Sequence, residues 1–331
     1  MGIVFRVPAE DLLQCRFAIS PLGETADALR SLTRRGGECY HLPWQRQIRR
    51  KLPELRIGPL LALLSLRGYQ PDFLSPAPDG PFTEIGTELE RVRATPPSRV
   101  AAELAECLDR HPAERAALRG YPELSGDPAQ ARDLLADQLD RAWTALVEPW
   151  WPRLRDVLDA DITFRARQLA NAGVAAALND LDPRIAWRDG VLRFAITAHQ
   201  DLDITGAELV LIPSVFIWPG AAASFDPPAV IYPARGIAGI WTPATPPGSD
   251  LAHLIGRTRA VLLSGLAEPS STTGLAARCG VPVSSVSEHL AVLRAAGLVS
   301  TSRTGRFLLH QRTALGIALS GAATTPDSAP V

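Results

Sequence analysis

The sequence predicts an α+β protein: a large, mainly helical N-terminal domain with a small, mostly antiparallel sheet, followed by a C-terminal module of short helices and one hairpin. Three observations carry this prediction. Apolar residues recur at helical spacing through most of the first 180 residues, and strand-like runs take over after Asp182-Pro183. The Pro- and Gly-rich stretch WTPATPPGSD, residues 241–250, then separates both from the rest. At 331 residues the chain exceeds the usual size of a single core, so two domains are expected, bounded as residues 1–245 and 250–319. A content of 46% apolar and 21% charged residues excludes a disordered chain. No segment approaches about eighteen uninterrupted apolar residues. The opening MGIVFRVPAEDLL has neither the basic nor the apolar region of a signal peptide. A cytoplasmic location and no membrane partner are therefore expected.

Ile3, Phe5 and Val7 alternate as a short strand. After Pro8, a helix carrying Leu12, Leu13 and Phe17 is expected, then helices over residues 24–35 and 44–66. A Pro/Gly break at 71–81 precedes helices at 83–93, 97–110 and 128–147, and Trp150-Trp151-Pro152 opens a long helix ending near Asn179. Ile185–Trp187, Leu192–Ile196 and Leu209–Phe216 are strand-like, with Asp189-Gly190 a hairpin turn between the first two. Val230–Tyr232 and Ile237–Trp241 add short apolar runs.

Beyond the Pro-rich stretch, Leu251, Leu254, Ile255, Val261, Leu262 and Leu266 predict an amphipathic helix stopped by Pro269. Ser270–Thr273 offers N-cap residues to the short helix LAARC, 275–279, which Gly280 ends. After Pro282, Ser284 is expected to cap a helix from Ser285 to Ala296, closed by Gly297. Leu298–Arg303 and Phe307–Gln311 then pair across Thr304-Gly305-Arg306. Two short helices around a tight turn, followed by a hairpin, make a winged helix-turn-helix. The tail from 320 to 331 is expected to be disordered. In the second helix Val286, Leu290 and Leu293 point inward, and Ser284, Ser285, Glu288 and Ala291 face outward, flanked by Ser287 and Arg294. Small hydroxyls on an exposed face can approach base edges and phosphates closely. From Asp250 to Gly316, seven Arg oppose Asp250, Glu268 and Glu288, a balance of +4 in a chain whose total is −1.

The stretch from Thr272 to Leu319 resembles the ArsR-type winged-helix regulators. Their core pattern is matched by Ser284-Ser285-Val286-Ser287-Glu288-His289-Leu290 and by Leu293-Arg294-Ala295-Ala296-Gly297-Leu298-Val299, and further along by Gly305-Arg306 and Arg312-Thr313-Ala314-Leu315-Gly316. The resemblance implies a sequence-specific, ligand-responsive repressor acting on double-stranded DNA. Because one short helix offers few contacts, a homodimer on an inverted-repeat operator is expected. Thr272, Thr273, Ser284, Ser285, Ser287, Glu288, His289, Arg294, Arg303 and Arg306 are the expected DNA-contacting residues, with Arg306 at the tip of the wing. For His289 a structural hydrogen bond and a phosphate contact are equally open. LVLIPSVFIWP, 209–219, and AVIYPARGIAGIW, 229–241, resemble an uncharacterised domain that precedes such winged helices, which implies no activity.

The sequence departs from the family's metal sensors. The first helix of the motif offers only Cys279, the last helix (Leu315–Leu319) offers no ligand, and His310 stands where an aromatic residue usually follows the wing. Cys15, Cys39, Cys107 and Cys279 are isolated, and His199, Asp201 and Asp203 lie in a polar passage that reads as a solvated loop. Neither a metal nor a cofactor is expected. With no G-x-S-x-G, H-E-x-x-H or Walker sequence, an enzyme is not expected. The alternative is an enzyme or partner-binding domain fused to an autoregulatory winged helix. Trp150, Trp151, Trp187, Phe216, Trp218, Tyr232 and Trp241 cluster near element ends. They have two readings: packing in a core, or walling a pocket for a small-molecule effector.

Overall fold

The structure, a computed structural model, describes residues 2–8, 11–33, 41–66, 68–113, 118, 120–195, 200–237, 240–241, 249–267, 269–304 and 307–321. Two compact units emerge: Met1–Trp150 with Phe164–Ala234, and Trp151–Thr163 with Arg235–Val331.

In the first unit, helices α1 (Pro21–Thr33), α2 (Leu42–Ile48), α3 (Gly58–Leu64), α4 (Ile85–Ala94), α5 (Pro97–Arg110) and α6 (Pro128–Ala142) form the helical part. Local chemistry sets several of their starts. Asp127 caps α6 by accepting from the Ala129 N–H at 2.7 Å, with Pro128 at the first helical position. Buried side chains from elsewhere satisfy other helix starts: Glu88 accepts from Leu22 N at 2.8 Å, and Gln138 Oε1 from Leu60 N at 2.9 Å. The single helix expected over 44–66 is two helices joined by a 3-10 turn, Leu52–Leu55, and a left-handed residue, Arg56 (φ 51°). The helix expected around Leu12 and Phe17 is also absent. Asp11–Gln14 is one 3-10 turn and Arg16–Phe17 is a strand. So short a run cannot nucleate a helix against a competing sheet edge.

Strands β1 (Ile3–Arg6), β2 (Arg16–Phe17), β3 (Ile185–Arg188), β4 (Val191–Phe194), β5 (Gln200–Asp203), β6 (Val210–Ser214), β7 (Ala222–Phe225) and β8 (Pro228–Pro233) build two four-stranded sheets, ordered β3-β4-β1-β5 and β2-β6-β8-β7. The β3–β4 hairpin turns at Asp189-Gly190, both at positive φ, as the expected turn requires. The sheets are mixed rather than mostly antiparallel. β1 runs parallel to β5, β2 to β6, and β6 to β8. The N-terminal strands reach these edges from about 200 residues away in sequence, so no local turn announces the pairing. All of β6 is buried, flanked on both edges and packed in one core with Phe5, Phe194, Leu178 and Tyr232 or its neighbour around Ala18 and Ala229. Among the described residues no helix is long and apolar enough to cross a membrane.

Helix α7 (Trp151–Asn179) is shared between the units, its residues 151–163 belonging to the second. The sequence assigns this whole helix to the N-terminal domain. The structure differs because a buried carboxylate in its first turns belongs to the winged helix, as described below.

In the second unit follow α8 (Ser249–Ile255), α9 (Arg257–Gly265), β9 (Ser270–Ser271), α10 (Thr272–Cys279), α11 (Val283–Ala295), β10 (Val299–Thr304), β11 (Phe307–Arg312) and α12 (Ala314–Gly321). One helix was expected over 251–266; Gly256, at φ 85°, divides it. Leu262, Leu263, Leu266, Leu275, Val286, Leu290, Leu293 and Val299 close a core of their own. The linker residues 242–248 and the tail from 322 lie outside the described residues.

Candidate nucleic-acid interface

The helix-turn-helix is assembled by local caps. Ser271 Oγ accepts from Gly274 N at 3.0 Å and starts α10. Gly280, left-handed at φ 67°, ends it. α11 closes on Gly297, also left-handed, with Leu298 N donating to Leu293 O and Gly297 N to Arg294 O, both at 2.9 Å. That pattern is a Schellman motif, and its Leu298–Leu293 pair joins the core. Ser284 does not cap α11. The helix begins two residues earlier, at Val283 after Pro282, which places Ser284 and Ser285 within its first turn.

α11 presents the expected surface. Val286, Leu290 and Leu293 are sealed, whereas Ser284, Ser287, Glu288 and Arg294 are exposed and Ser285 and His289 are half-buried. The Ser287 hydroxyl donates to Val283 O at 3.1 Å, so its oxygen remains available chiefly as an acceptor. Sequence reasoning missed Val283, 47% exposed beside Ser284. A β-branched residue at the head of a recognition helix is the kind that meets a thymine methyl, and its place outside the i, i+4, i+7 core set is the signal.

β10 and β11 pair antiparallel from Val299↔Arg312 to Thr304↔Phe307, and β9 adds a third strand through His310↔Ser270. His310 is buried between two hydroxyls, Thr301 Oγ1 at 2.8 Å from Nδ1 and Thr272 Oγ1 at 3.0 Å from Nε2. Burial, and then the Arg294 charge, hold its pKa below the ordinary histidine value. An aromatic ring could not tie the wing to α10 in this way. Thr272 is thus engaged within the fold, while Thr273 beside it is exposed. Arg306 and the Arg303 side chain lie outside the described residues.

Beneath the head of α10 sits Asp156 of α7, 2% exposed. It accepts from Ser271 N at 3.2 Å and from the Ser270 hydroxyl. Burial raises its pKa, against the pull of those hydrogen bonds. Only glycine fits at 274, because an added Cβ would lie 1.6 Å from Asp156 Oδ2. Arg153, one turn earlier on α7, donates to Ala277 O at 2.7 Å. The α7 contribution had no sequence signal, since Ser270 lies 114 residues away.

The first unit holds a separate cavity of about 530 Å³. None of the seven aromatic residues proposed as pocket walls lines it. Phe216 and Tyr232 are wholly buried, Phe216 packing on Trp44 with ring centroids 4.6 Å apart, and Trp187 packs against the sheet core. Trp150, Trp151, Trp218 and Trp241 are half-buried. The cavity is instead built on the inward face of α1, where Glu24, Asp27 and Arg30 fall three residues apart. That spacing is readable in the sequence, but charges so placed normally read as a solvated helix face. Among the described residues, no three His, Cys, Asp or Glu side chains converge as metal ligands; Cys39 and His199 fall outside that set.

Among known families, a helix-turn-helix domain matches residues 254–301, and a family of unknown function (DUF5937) matches residues 95–236. No curated protein and no solved structure matches the chain. The C-terminal unit is a helix-turn-helix, and the chain is a DNA-binding transcription regulator. The helix-turn-helix match ends within β10, three residues into the wing.

Proposed function

We propose that this regulator is a ligand-responsive repressor of the ArsR type, non-catalytic and cytoplasmic, acting as a homodimer on an inverted repeat in duplex DNA. The observation that carries the reading is α11: a helix fixed by three sealed apolar residues and a Schellman cap, with Ser284, Glu288 and Arg294 exposed on its outer side and Ser285 half-buried beside them. Such a helix enters the major groove with its first turns against base edges. Thr273, Arg303 and Arg306 supply backbone contacts on either side, and the cavity on α1 receives the effector. Bound ligand alters DNA affinity by favouring one of two protein conformations.

The direct test is a gel shift with the full chain on DNA upstream of its own gene, followed by selection of preferred sequences. Glu288 is placed to accept from a cytosine amino group. Glu288→Ala should relax preference at one position in each half-site, by about 1–3 kcal/mol. A sequence logo unchanged in the variant would remove Glu288 from base reading. Arg306→Ala, by contrast, should weaken binding to all sequences alike and reduce the salt dependence by roughly one phosphate contact.

A further inference from the structure

We propose that the cavity of the first unit binds a small organic cation, an amine whose ammonium group docks on the Glu24 carboxylate while its hydrocarbon body lies against Ile212, Ile217 and Phe225. This assignment rests on the ligand-responsive reading above and names the effector's chemistry.

Glu24 is 2% exposed and lines the cavity. Its Oε1 accepts from Val215 N at 2.7 Å, and its Oε2 has no hydrogen-bond partner. An unpaired buried carboxyl oxygen is costly unless something completes it. The nearby cation is already committed elsewhere: Arg30 pairs with Asp27 Oδ1 at 2.7 Å and also donates to Gln70. The other oxygen of Asp27 accepts from the Ser214 hydroxyl at 2.9 Å. At the same cavity Arg110 pairs with Glu106 at 2.7 Å. The acidic group left unmatched is therefore Glu24, and Asp72 also lines the cavity.

The electrostatics agree. Burial, and then the charge of Asp27, push Glu24 up to about 8, and burial with the charge of Glu103 pushes Asp72 up to about 7. The charge acting most on Glu24 is another carboxylate, Asp27, and a bound ammonium would supply the cation. At Asp72, Arg99 and Arg30 already pull against the rise. An anionic ligand would meet these carboxyls with no uncommitted arginine. A purely apolar ligand would bury Oε2 further without satisfying it.

The experiment uses the full chain and three probes of matched shape: phenylbutylamine, phenylbutanol and phenylbutyrate. Isothermal calorimetry should show saturable binding of the amine, at least tenfold weaker binding of the alcohol, and none of the acid. Glu24→Gln keeps the acceptor for Val215 N and should lower amine affinity at least tenfold while leaving the alcohol unchanged. Should that variant fail to fold by circular dichroism, Ala222→Leu, which adds bulk to the cavity wall, should abolish amine binding. Equal affinity for amine and alcohol, preference for the acid, no binding of the amine at millimolar concentration, or amine binding untouched by these variants would each overturn the proposal. Measuring operator affinity with and without amine separates the two readings. Amine that binds through Glu24 without changing DNA affinity leaves the cation site standing and removes ligand response. DNA release by the acid or alcohol alone does the reverse.

Discussion

Gly274→Ala is expected to cripple the C-terminal unit, lowering its stability by about 3–5 kcal/mol, at the upper end of single-substitution effects. The new methyl would sit 1.6 Å from Asp156 Oδ2 and 2.4 Å from its Cγ, so either the carboxylate or the head of α10 must move. Movement of the carboxylate strands the buried Ser270 hydroxyl and the half-buried Ser271 N beneath the helix-turn-helix. Asp156→Ala removes the obstacle but leaves those donors unsatisfied, a smaller loss of about 1–3 kcal/mol. The double variant should therefore be more stable than Gly274→Ala alone. That sign of coupling arises only if the two residues compete for one space. Urea denaturation followed by circular dichroism, with operator binding as the second readout, measures all three variants. A Gly274→Ala protein as stable as the parent would mean that Asp156 does not occupy this place.

What could be read from the sequence follows the range of the interactions. The helix-turn-helix is legible because its signals are local: Ser271 caps within three residues, and Gly280 and Gly297 each end a helix by adopting a backbone conformation that glycine favours. The start of α11 is displaced by two residues because Pro282 and Ser284 both suit a helix start and the local signals do not choose between them. Strand content in the first unit is legible from apolar runs and from Asp189-Gly190, but the parallel placement of β1 and β2 depends on partners about 200 residues away. The aromatic residues left two readings open for a related reason. Position at an element end is shared by pocket walls and core fillers, and Phe216 and Tyr232 prove to be fillers. The cavity itself was hidden because Glu24, Asp27 and Arg30 look like a solvated face until β6 and its following loop cover them.

The homodimer proposed above carries the second large prediction, and packing decides where its surface can lie. In the apolar stretch over 251–266, Leu262, Leu263 and Leu266 are spent on the unit's own core. Of that segment's large apolar residues only Leu254 remains strongly exposed, at 69%. The last helix offers more. α12 has no charged residue, and Leu315 and Ile317 on it are 58% and 56% exposed. Gly316 between them is pinned beneath Leu298 O, where an added Cβ would come within 2.1 Å, so α12 cannot roll to hide its neighbours. Apolar side chains held outward on a short helix would be covered by a second copy of the same surface in the proposed homodimer on an inverted repeat. Ile317→Glu combined with Leu315→Glu should yield a monomer by light scattering at micromolar concentration. Unfolding stability of the monomer should stay within about 0.5 kcal/mol per surface change. Affinity for the inverted repeat should fall at least a hundredfold, because the second half-site no longer arrives with the first. A double variant that remains dimeric and binds the operator as before would place the two-fold contact elsewhere, with Leu254 on α8 the next residue to test.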